Sequence, residues 1–233
     1  MHPSAYQAMA RCIEKYVPKD RRLTVVDFGS RTVRERRKHM THRALLTEHD
    51  CEVIGVDIID GINVDVVMKK PYRLPMKSNS ADVVLSGQVF EHIPFFWASL
   101  LEVARVLKPG GHFLMTVPSR GHVHTIVDCW RYYPDGVRAM AAFAGLEVRE
   151  VHTDFPPKRE DGHHHYEQID EVDHYWGDTV GVLQKTEKYP TRRIALIRRP
   201  LLWWANSASK SFVSTRDARA GLPGARQRQK AAG

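Results

Sequence analysis

The chain has 233 residues, 42% of them hydrophobic and 27% charged, and a formal net charge of +8 at pH 7. This length predicts one sizeable α/β domain with additions and is short for two independent domains. No apolar run approaches the roughly 18–20 residues that a membrane span needs, which argues against stable membrane insertion.

The positive charge is concentrated at the C-terminal end, where residues 191–233 contain ten Lys or Arg side chains and one Asp. The first 190 residues are close to neutral, which argues against a nucleic-acid partner for the body of the protein. Three widely spaced cysteines without a CxxC pair argue against a disulfide framework or a zinc knuckle. Because residues 1–17 lack the apolar core of a signal peptide, we expect a cytoplasmic protein.

Apolar runs alternate with segments of helical periodicity along the chain, which predicts βαβ units and a mostly parallel sheet. The predicted strands are Leu23–Ser30, Cys51–Ile58, Ser80–Gly87, Gly111–Ser119, Leu146–His152 and, as a candidate last strand, Thr191–Arg199. The predicted helices are 4–17, His42–Glu48, Phe95–Leu107 and Asp135–Leu146. Lys108-Pro109-Gly110-Gly111 after the third helix and Gly145 near the end of the fourth are typical helix-stop residues.

We divide the chain into a core domain and three flanking segments. The domain spans 23–200, and its His- and acid-rich stretch 154–178 predicts a lid or insertion. An N-terminal helix (1–22) precedes the domain, and a C-terminal helix (201–217) follows it. The last segment, 218–233, is basic and lacks apolar residues to bury, so we expect it to be disordered.

Acidic residues and a glycine lie where the predicted strands end, at the edge of the sheet where doubly wound folds bind ligands. Asp27 and Gly29 close the first strand, and glycine there allows the backbone to approach a ligand closely. Asp57 closes the second strand and can accept hydrogen bonds from a ribose, and Asp65 with Val66 could contact an adenine ring. The first turn reads GSRTVR rather than GxGxxG, which favours a nucleoside without phosphates over the dinucleotide of a dehydrogenase.

The strings YRLPMKSNSADVVLSGQVFEHI and LLEVARVLKPGGHFLMTVPS resemble the core of class I, S-adenosylmethionine-dependent methyltransferases with a type 11 methyltransferase domain. The resemblance covers Leu23 to Val151 and implies a Rossmann-like fold, a mostly parallel seven-stranded sheet flanked by helices. It also implies three groups of cofactor-binding residues. They are Asp27 and Gly29 near the methionine part, Asp57, Asp65 and Val66 around the adenosine, and Ser86, Gly87 and Gln88 beside the sulfonium; Ser30 and Ile58 are further cofactor-binding candidates. The family's second and third glycines are missing after Gly29, which we interpret as a subgroup feature.

The string HVHTIVDCWRYYPDGVRAMAAFAGLEV resembles mycobacterial-type sugar and oligosaccharide O-methyltransferases, which are associated with polysaccharide biosynthesis. The matching residues are His124, Asp128 and Arg131, and the resemblance implies methylation of a carbohydrate hydroxyl. A sugar hydroxyl is a poor nucleophile at neutral pH, so it needs a base or a metal, and histidine suits the task. The candidates are His92, His122 and His124, and Asp128 lies one helical turn from His124 and could orient it.

The Glu91-His92 pair follows the strand that ends at Gly87, so it either takes part in catalysis and substrate binding or supports the local structure. Some quinone-pathway relatives hold a divalent metal with a Glu-x-x-Glu-His pattern, but here Gln88 replaces the first Glu. Magnesium therefore stays an open expectation beside S-adenosylmethionine, with no ligands assigned.

The stretch DGHHHYEQIDEVDHYWGD (161–178) is rich in His and carboxylates, which suit magnesium or zinc, but no ligand spacing is recognisable. We interpret it as a polar lid whose Tyr166, Tyr175 and Trp176 face the substrate, because aromatic rings can stack on sugar faces.

The segment Arg198–Val213 combines basic and large apolar residues. Three interpretations are open: a helix packed on the core, a homodimer contact or a membrane-surface helix, and we favour the first two. Two alternatives to a sugar methyltransferase also stay open, a methyltransferase for a phenol or quinone and a non-catalytic binding module. The carboxylates of Asp27, Asp57 and Asp65 argue against the non-catalytic module.

Overall fold

The computed structural model describes residues 3–33, 39–123, 125, 127–154, 160–162 and 176–220, with the side chains of the last helix described as far as Ser209. The strands in this part of the chain are β1 (Leu23–Phe28), β2 (Cys51–Asp57), β3 (Val66–Val67), β4 (Ala81–Gly87), β5 (Leu107–Arg120), β6 (Glu147–Thr153) and β7 (Gly177–Gln184). The helices are α1 (Pro3–Tyr16), α2 (His42–Leu45), α3 (Phe96–Val106), α4 (Pro134–Ala144) and α5 (Thr191–Ala220), and a 3₁₀ turn covers Phe90–His92.

The strands form one sheet in the order β3-β2-β1-β4-β5-β7-β6. β7 runs antiparallel to β5 and β6, and the other neighbouring pairs are parallel. This arrangement confirms the predicted Rossmann-like methyltransferase fold. The parallel direction places the ends of β1, β2 and β4 at one edge of the sheet, and the antiparallel β7 begins at that same edge.

The two faces of the sheet are covered by different helices. Alternate residues of β1 show the division, because Val25 packs with Met9 and Ile13 of α1, whereas Val26 lies in a cluster with Leu101 of α3 and Val137 of α4. All six side chains are at most 2% exposed. Burying each of them stabilises the fold by roughly 1.5–3 kcal/mol relative to an exposed position.

The segment between α3 and β5 differs from the simple helix stop that the sequence predicts. α3 ends at Val106 as predicted, but Lys108-Pro109-Gly110-Gly111 lies within β5, where the pairing with β4 jumps from Ala81–Leu107 to Val83–His112. Gly110 has a φ of +83°, which only glycine adopts readily, and its N–H donates to the carbonyl of Lys185 at 2.6 Å. The four residues therefore form a bulge that β7 holds in place. Gly145 ends α4 with a φ of +70°, as predicted.

Two predictions at the C-terminal side were wrong. Thr191–Arg199 is the start of α5 and not a strand, because Ile194, Leu202 and Ala205 recur on one helical face that packs on the body. The true last strand, β7, begins at Gly177 and includes the end of the stretch that we expected to be a lid. The predicted helix His42–Glu48 is shorter, a single turn.

Candidate active site

The end of β1 carries the first predicted cofactor residues. The carboxylate of Asp27 is 3% exposed, and its Oδ1 lies 2.6 Å from Nδ1 of the buried His42, the first residue of α2. Gly29 has a φ of +80°, and a Cβ at this position would lie 2.3 Å from the side chain of Val89. Only glycine therefore allows the loop after β1 to approach the loop after β4 this closely. No local sequence pattern indicates that His42 contacts Asp27.

Asp57 lies at the end of β2 and anchors the loops on both sides. Its Oδ2 accepts the N–H of Arg31 at 3.2 Å, and its Oδ1 accepts the N–H of Ile59 at 3.0 Å. The side chain is half-buried, and its carboxylate has acceptor sites beyond these two bonds. Ile58, the next residue, and Ile62, further along the same loop, are each 54% exposed.

Asp65 and Ser30 lie close to Gly55 of β2. Oδ2 of Asp65 accepts the N–H of Gly55 at 2.6 Å and also contacts the guanidinium of Arg43. A Cβ on Gly55 would lie 2.8 Å from Oγ of Ser30 and 2.0 Å from the carbonyl of Asn63. Val66 pairs with Val56 of β2 in the sheet. The predicted adenine residues thus lie together, and Asp65 also fixes the backbone of β2.

The end of β4 is joined to β7 and to the N-terminal helix. Gln88 has a φ of +59°, a strained value for this residue type, and its Nε2 donates to Oδ1 of Asp178 at 3.0 Å. Oδ2 of Asp178 accepts the hydroxyl of Ser4 at 2.8 Å. Burial raises the pKa of Asp178 above its ordinary value. Sequence reasoning missed Asp178 and Ser4, because they belong to segments 174 positions apart.

These features fit a nucleoside-bearing cofactor. Within the described residues, Oγ of Ser86, Oγ of Ser30 and Nε2 of His42 are buried without a hydrogen-bond partner. A buried polar atom of this kind costs about 1–3 kcal/mol when it stays unpaired, so each could gain by binding a ligand. These polar atoms and the half-buried carboxylate of Asp57 suit the hydrogen-bonding groups of an adenosine. The exposed isoleucines suit the flat face of its adenine ring.

Glu91 and His92, in the 3₁₀ turn after β4, form the second part of the site. Glu91 is 0% exposed, and burial raises the pKa of its carboxyl to about 8, with a further contribution from the negative charge of Asp128. Its Oε1 lies 3.5 Å from Nε2 of His92. Nδ1 of His92 lies 2.7 Å from the carbonyl of Val127 and 3.3 Å from Oγ1 of Thr125. Because a carbonyl only accepts, Nδ1 carries the proton, and in neutral His92 the lone pair is on Nε2.

Asp128 and Arg131 form a charged pair beside Glu91. The two oxygens of Asp128 accept from the guanidinium of Arg131 at 2.5 and 2.9 Å. Arg131 also donates to the carbonyls of His122 and Trp130, at 2.8 Å each. Asp128 thus contacts Arg131, and its role in orienting His124 stays a prediction. His124 lies outside the described residues.

The predicted lid is described only at its ends. Trp176 lies just before β7, and its ring centroid is 4.8 Å from that of His122. A Cβ on Gly121 would lie 2.3 Å from the Trp176 ring, so the indole packs directly on the backbone of this loop. Tyr166 and Tyr175 lie outside the described residues.

Two kinds of feature are absent from the described part of the chain. It contains no group of three or more His, Cys, Asp or Glu side chains that could hold a metal ion. None of its helices combines the length and the apolar character that a bilayer crossing requires.

The sheet order and the residues at its carboxyl edge define the class: the chain has a class I, S-adenosylmethionine-dependent methyltransferase fold. Residues 7–115 match the family model described as a methyltransferase domain. Both the fold and the family match are those of a methyltransferase domain, and the family match covers slightly less than half of the chain.

Among curated proteins, a demethylmenaquinone methyltransferase from Staphylococcus saprophyticus is 30% identical over an alignment that covers 36% of this chain. The chain spans 42% of the length of that relative. One similar solved structure is a methyltransferase in complex with its activator from Haloferax volcanii, with a TM-score of 0.55 and 21% identity. The alignment covers 79% of this chain and 92% of that chain. A geranyl diphosphate methyltransferase solved with S-adenosylmethionine has a TM-score of 0.53, 11% identity and coverage of 77% and 85%. At these identities the solved structures support the fold.

Proposed function

We propose that this protein transfers the methyl group of S-adenosylmethionine to a hydroxyl group of a sugar or oligosaccharide, with His92 as the base. The observation that carries the proposal is the buried Glu91 carboxyl next to His92 and the Asp128–Arg131 pair, immediately after the strand whose end would face the sulfonium. A base beside a poor nucleophile is what O-methylation requires.

The residues that would hold the cofactor are those at the ends of the first strands. Asp57 would accept the ribose hydroxyls, Ile58 and Val66 would border the adenine with Asp65, and Ser30 would lie between these loops. Asp27, Gly29, Ser86, Gly87 and Gln88 would surround the methionine part. When bound, the sulfonium supplies an activated methyl group.

His92 would remove the proton from the acceptor. Its Nδ1 is fixed by the Val127 carbonyl, which leaves Nε2 as the proton acceptor. The acceptor oxygen forms a bond to the methyl carbon, the bond from that carbon to sulfur breaks, and the hydroxyl proton moves to Nε2. The carboxyl of Glu91, which keeps its proton below about pH 8, lies 3.5 Å from Nε2 and would position the ring.

The acceptor would contact the charged side of the site. Arg131, Gln88 and Trp176 can donate hydrogen bonds or stack on a sugar face, and they lie on loops next to one another. Tyr166 and Tyr175 remain predicted contacts. A hydroxyl-rich ligand suits such a set of donors and acceptors better than an apolar one.

A second candidate acceptor is a phenol or quinone-type ring. The similarity to a demethylmenaquinone methyltransferase favours it, and so does a cluster of rings beside the site. Trp130 lies 5.3 Å from Phe96 and 6.2 Å from Trp97 between ring centroids, and its Nε1 donates to the carbonyl of Ile93, directly after His92.

An acceptor screen distinguishes these candidates. Purified protein and S-adenosylmethionine labelled in the methyl group would be incubated with mono- and oligosaccharides and with phenolic and naphthoquinol acceptors. We expect the label to appear in a sugar product as a methyl ether. An otherwise identical acceptor that lacks the methylated hydroxyl should not become labelled. Label in the phenolic or quinol product alone would favour the second candidate.

His92→Ala tests the proposed base, with His152→Ala as a matched control because His152 is half-exposed on β6. We expect His92→Ala to lower turnover by roughly 10²–10⁴ while leaving cofactor affinity unchanged. A fully active His92→Ala variant would contradict the assignment and move the role to His124. Cofactor binding without methylation of any acceptor would instead support the non-catalytic module.

A further inference from the structure

One face of α5 presents large apolar side chains to solvent. Leu196 is 77% exposed, Trp203 is 74% exposed and Trp204 is 47% exposed, and Ile197 lies at the border of the same face. Leu196 and Trp203 are seven residues apart, which places them in line along the helix. Isolated exposed apolar residues are ordinary, but a row that includes two indoles marks a surface that contacts an apolar partner.

The opposite face fixes α5 to the body, so the position of the exposed row is set by packing. Leu202 and Ala205 are buried against Tyr72 and Ala98. Arg198 donates to Oε1 of Glu102 at 2.6 Å. The exposed row therefore does not arise from a loosely placed helix.

The exposed face of α5 is also basic. Arg192, Arg193 and Arg199 are exposed, and residues 191–209 contain no Asp or Glu. Arg199 and Trp203 are four residues apart, so the charge lies next to the indole.

The loop between β3 and β4 extends this basic surface. Lys69, Lys70, Arg73 and Lys77 are exposed, and the chain has no acidic residue between Asp65 and Asp82. Tyr72 in the middle of this loop packs on α5, and its N–H donates to Oδ1 of Asn206 at 3.5 Å. Because Asn206 lies three residues after Trp203, the loop borders the row of exposed residues.

A groove of about 420 Å³ joins the two segments. Its lining includes the side chains of Arg73, Lys77, Arg105 and Arg198. Glu102 accepts hydrogen bonds from both Arg105 and Arg198, at 2.7 and 2.6 Å, so its single negative charge is shared between two of the four positive charges. The groove keeps an excess of positive charge that suits an anionic group such as a phosphate.

We propose that the exposed face of α5, together with loop 69–77, docks this protein onto the surface of an anionic lipid bilayer. Trp and Leu enter the boundary between headgroups and acyl chains, while Arg and Lys contact the phosphates. A second copy of the chain fits this face poorly, because a two-fold dimer would bring each set of positive charges against its own copy. Nucleic acid would satisfy the charges but leave Leu196 and Ile197 in water. Docking is independent of which acceptor is methylated.

Sedimentation of the full chain with vesicles tests the docking. Vesicles of phosphatidylcholine alone would be compared with vesicles of equal parts phosphatidylcholine and phosphatidylglycerol. We expect binding to the anionic vesicles that weakens as salt is raised, and little binding to the neutral ones. Equal binding to both vesicles, or none to either, would overturn the proposal.

Two sets of variants assign the binding to this face. Leu196→Ser with Trp203→Ser should lower vesicle affinity at least about tenfold, because two large apolar groups no longer leave water. Arg192→Gln, Arg193→Gln and Arg199→Gln together should lower it by roughly fivefold per charge, from about 1 kcal/mol for each arginine near the surface.

Matched controls separate the face from net charge and from folding. Arg11→Gln, Arg22→Gln and Arg138→Gln together remove the same charge from exposed positions elsewhere, and Phe143→Ser removes an exposed ring from α4. These variants should bind vesicles as the unmodified chain does, and circular dichroism should be unchanged in all of them. Loss of binding in the control triple, or a dimer that depends on Trp203 in light scattering, would contradict the proposal.

Discussion

Glu91 shows at the residue scale how burial controls both chemistry and stability. Its carboxyl is 0% exposed, and its pKa is raised to about 8 from an ordinary value of 4.5. Between these two values the folded protein keeps a proton that the unfolded chain has released. Unfolding therefore releases a proton, and the stability that the protonated Glu91 contributes below about pH 4.5 is lost as pH rises toward 8.

Glu91→Gln tests this linkage, because the amide keeps the shape and cannot ionise. We expect the free energy of unfolding of the variant, relative to the unmodified chain, to increase between pH 5 and pH 8 by up to a few kcal/mol, on the order given by the shift. Urea unfolding at several pH values measures the difference. Glu48→Gln, at a side chain that is 84% exposed, is the control and should show no such trend. A pH-independent difference for Glu91→Gln would contradict the raised pKa.

Sequence reasoning located single residues at strand ends, but it did not predict the contacts between them. Asp27, Gly29 and Asp57 could be located because strand ends and turn residues are local signals. The pairing of Asp27 with His42, and of Gln88 with Asp178, depends on segments that meet only in the folded sheet. No local pattern encodes such a contact.

At the scale of elements, the strands and helices from Leu23 to Thr153 follow the predicted order except for the two-residue β3, which was not predicted. The longer strands could be predicted because buried parallel strands are continuous apolar runs bounded by turn residues. α5 was mistaken for a strand in its first nine residues because Ile194, Leu196 and Ile197 resemble a short apolar run. The helical period can be recognised only when Ile194 is compared with the later residues Leu202 and Ala205, which are buried on the same face. β7 was missed because its first residues follow a polar stretch and its apolar run is short.

Lys185, which follows β7, links this strand to the end of α3. Its Nζ donates to Oδ1 of Asn79 at 2.7 Å and to the carbonyls of Ala104 and Leu107 at 2.9 and 2.8 Å. The last carbonyls of a helix lack partners within the helix, and a cation at this end is favourable.

Lys185→Ala should therefore lower the free energy of unfolding by about 2–4 kcal/mol, since it leaves buried carbonyls without a donor. Thermal and urea unfolding measure the change. Lys188→Ala, three residues on and exposed, is the matched control, for which we expect a change within about 0.5 kcal/mol. If the two variants were equally stable, Lys185 would have no capping role.

At the scale of the whole molecule, the predicted sites and the excess of positive charge lie in different parts of the chain. The near-neutral first 190 residues contain the predicted cofactor and acceptor sites, and the sequence alone located the excess of positive charge after residue 190. It could not reveal that Lys69, Lys70, Arg73 and Lys77 extend this basic surface, because they lie more than 100 positions away. The contact of Tyr72 with α5 brings the two basic segments together.

The central claim is that the carboxyl edge of this sheet binds S-adenosylmethionine through Asp57. Calorimetric titration of the full chain with S-adenosylmethionine and S-adenosylhomocysteine, with and without magnesium, tests it most directly. We predict binding of one molecule per chain, weakened by about 1–3 kcal/mol in Asp57→Ala and unchanged in Asp60→Ala, the neighbouring exposed carboxylate. An absence of binding to either compound under any condition, or equal affinity of the two variants, would contradict the account.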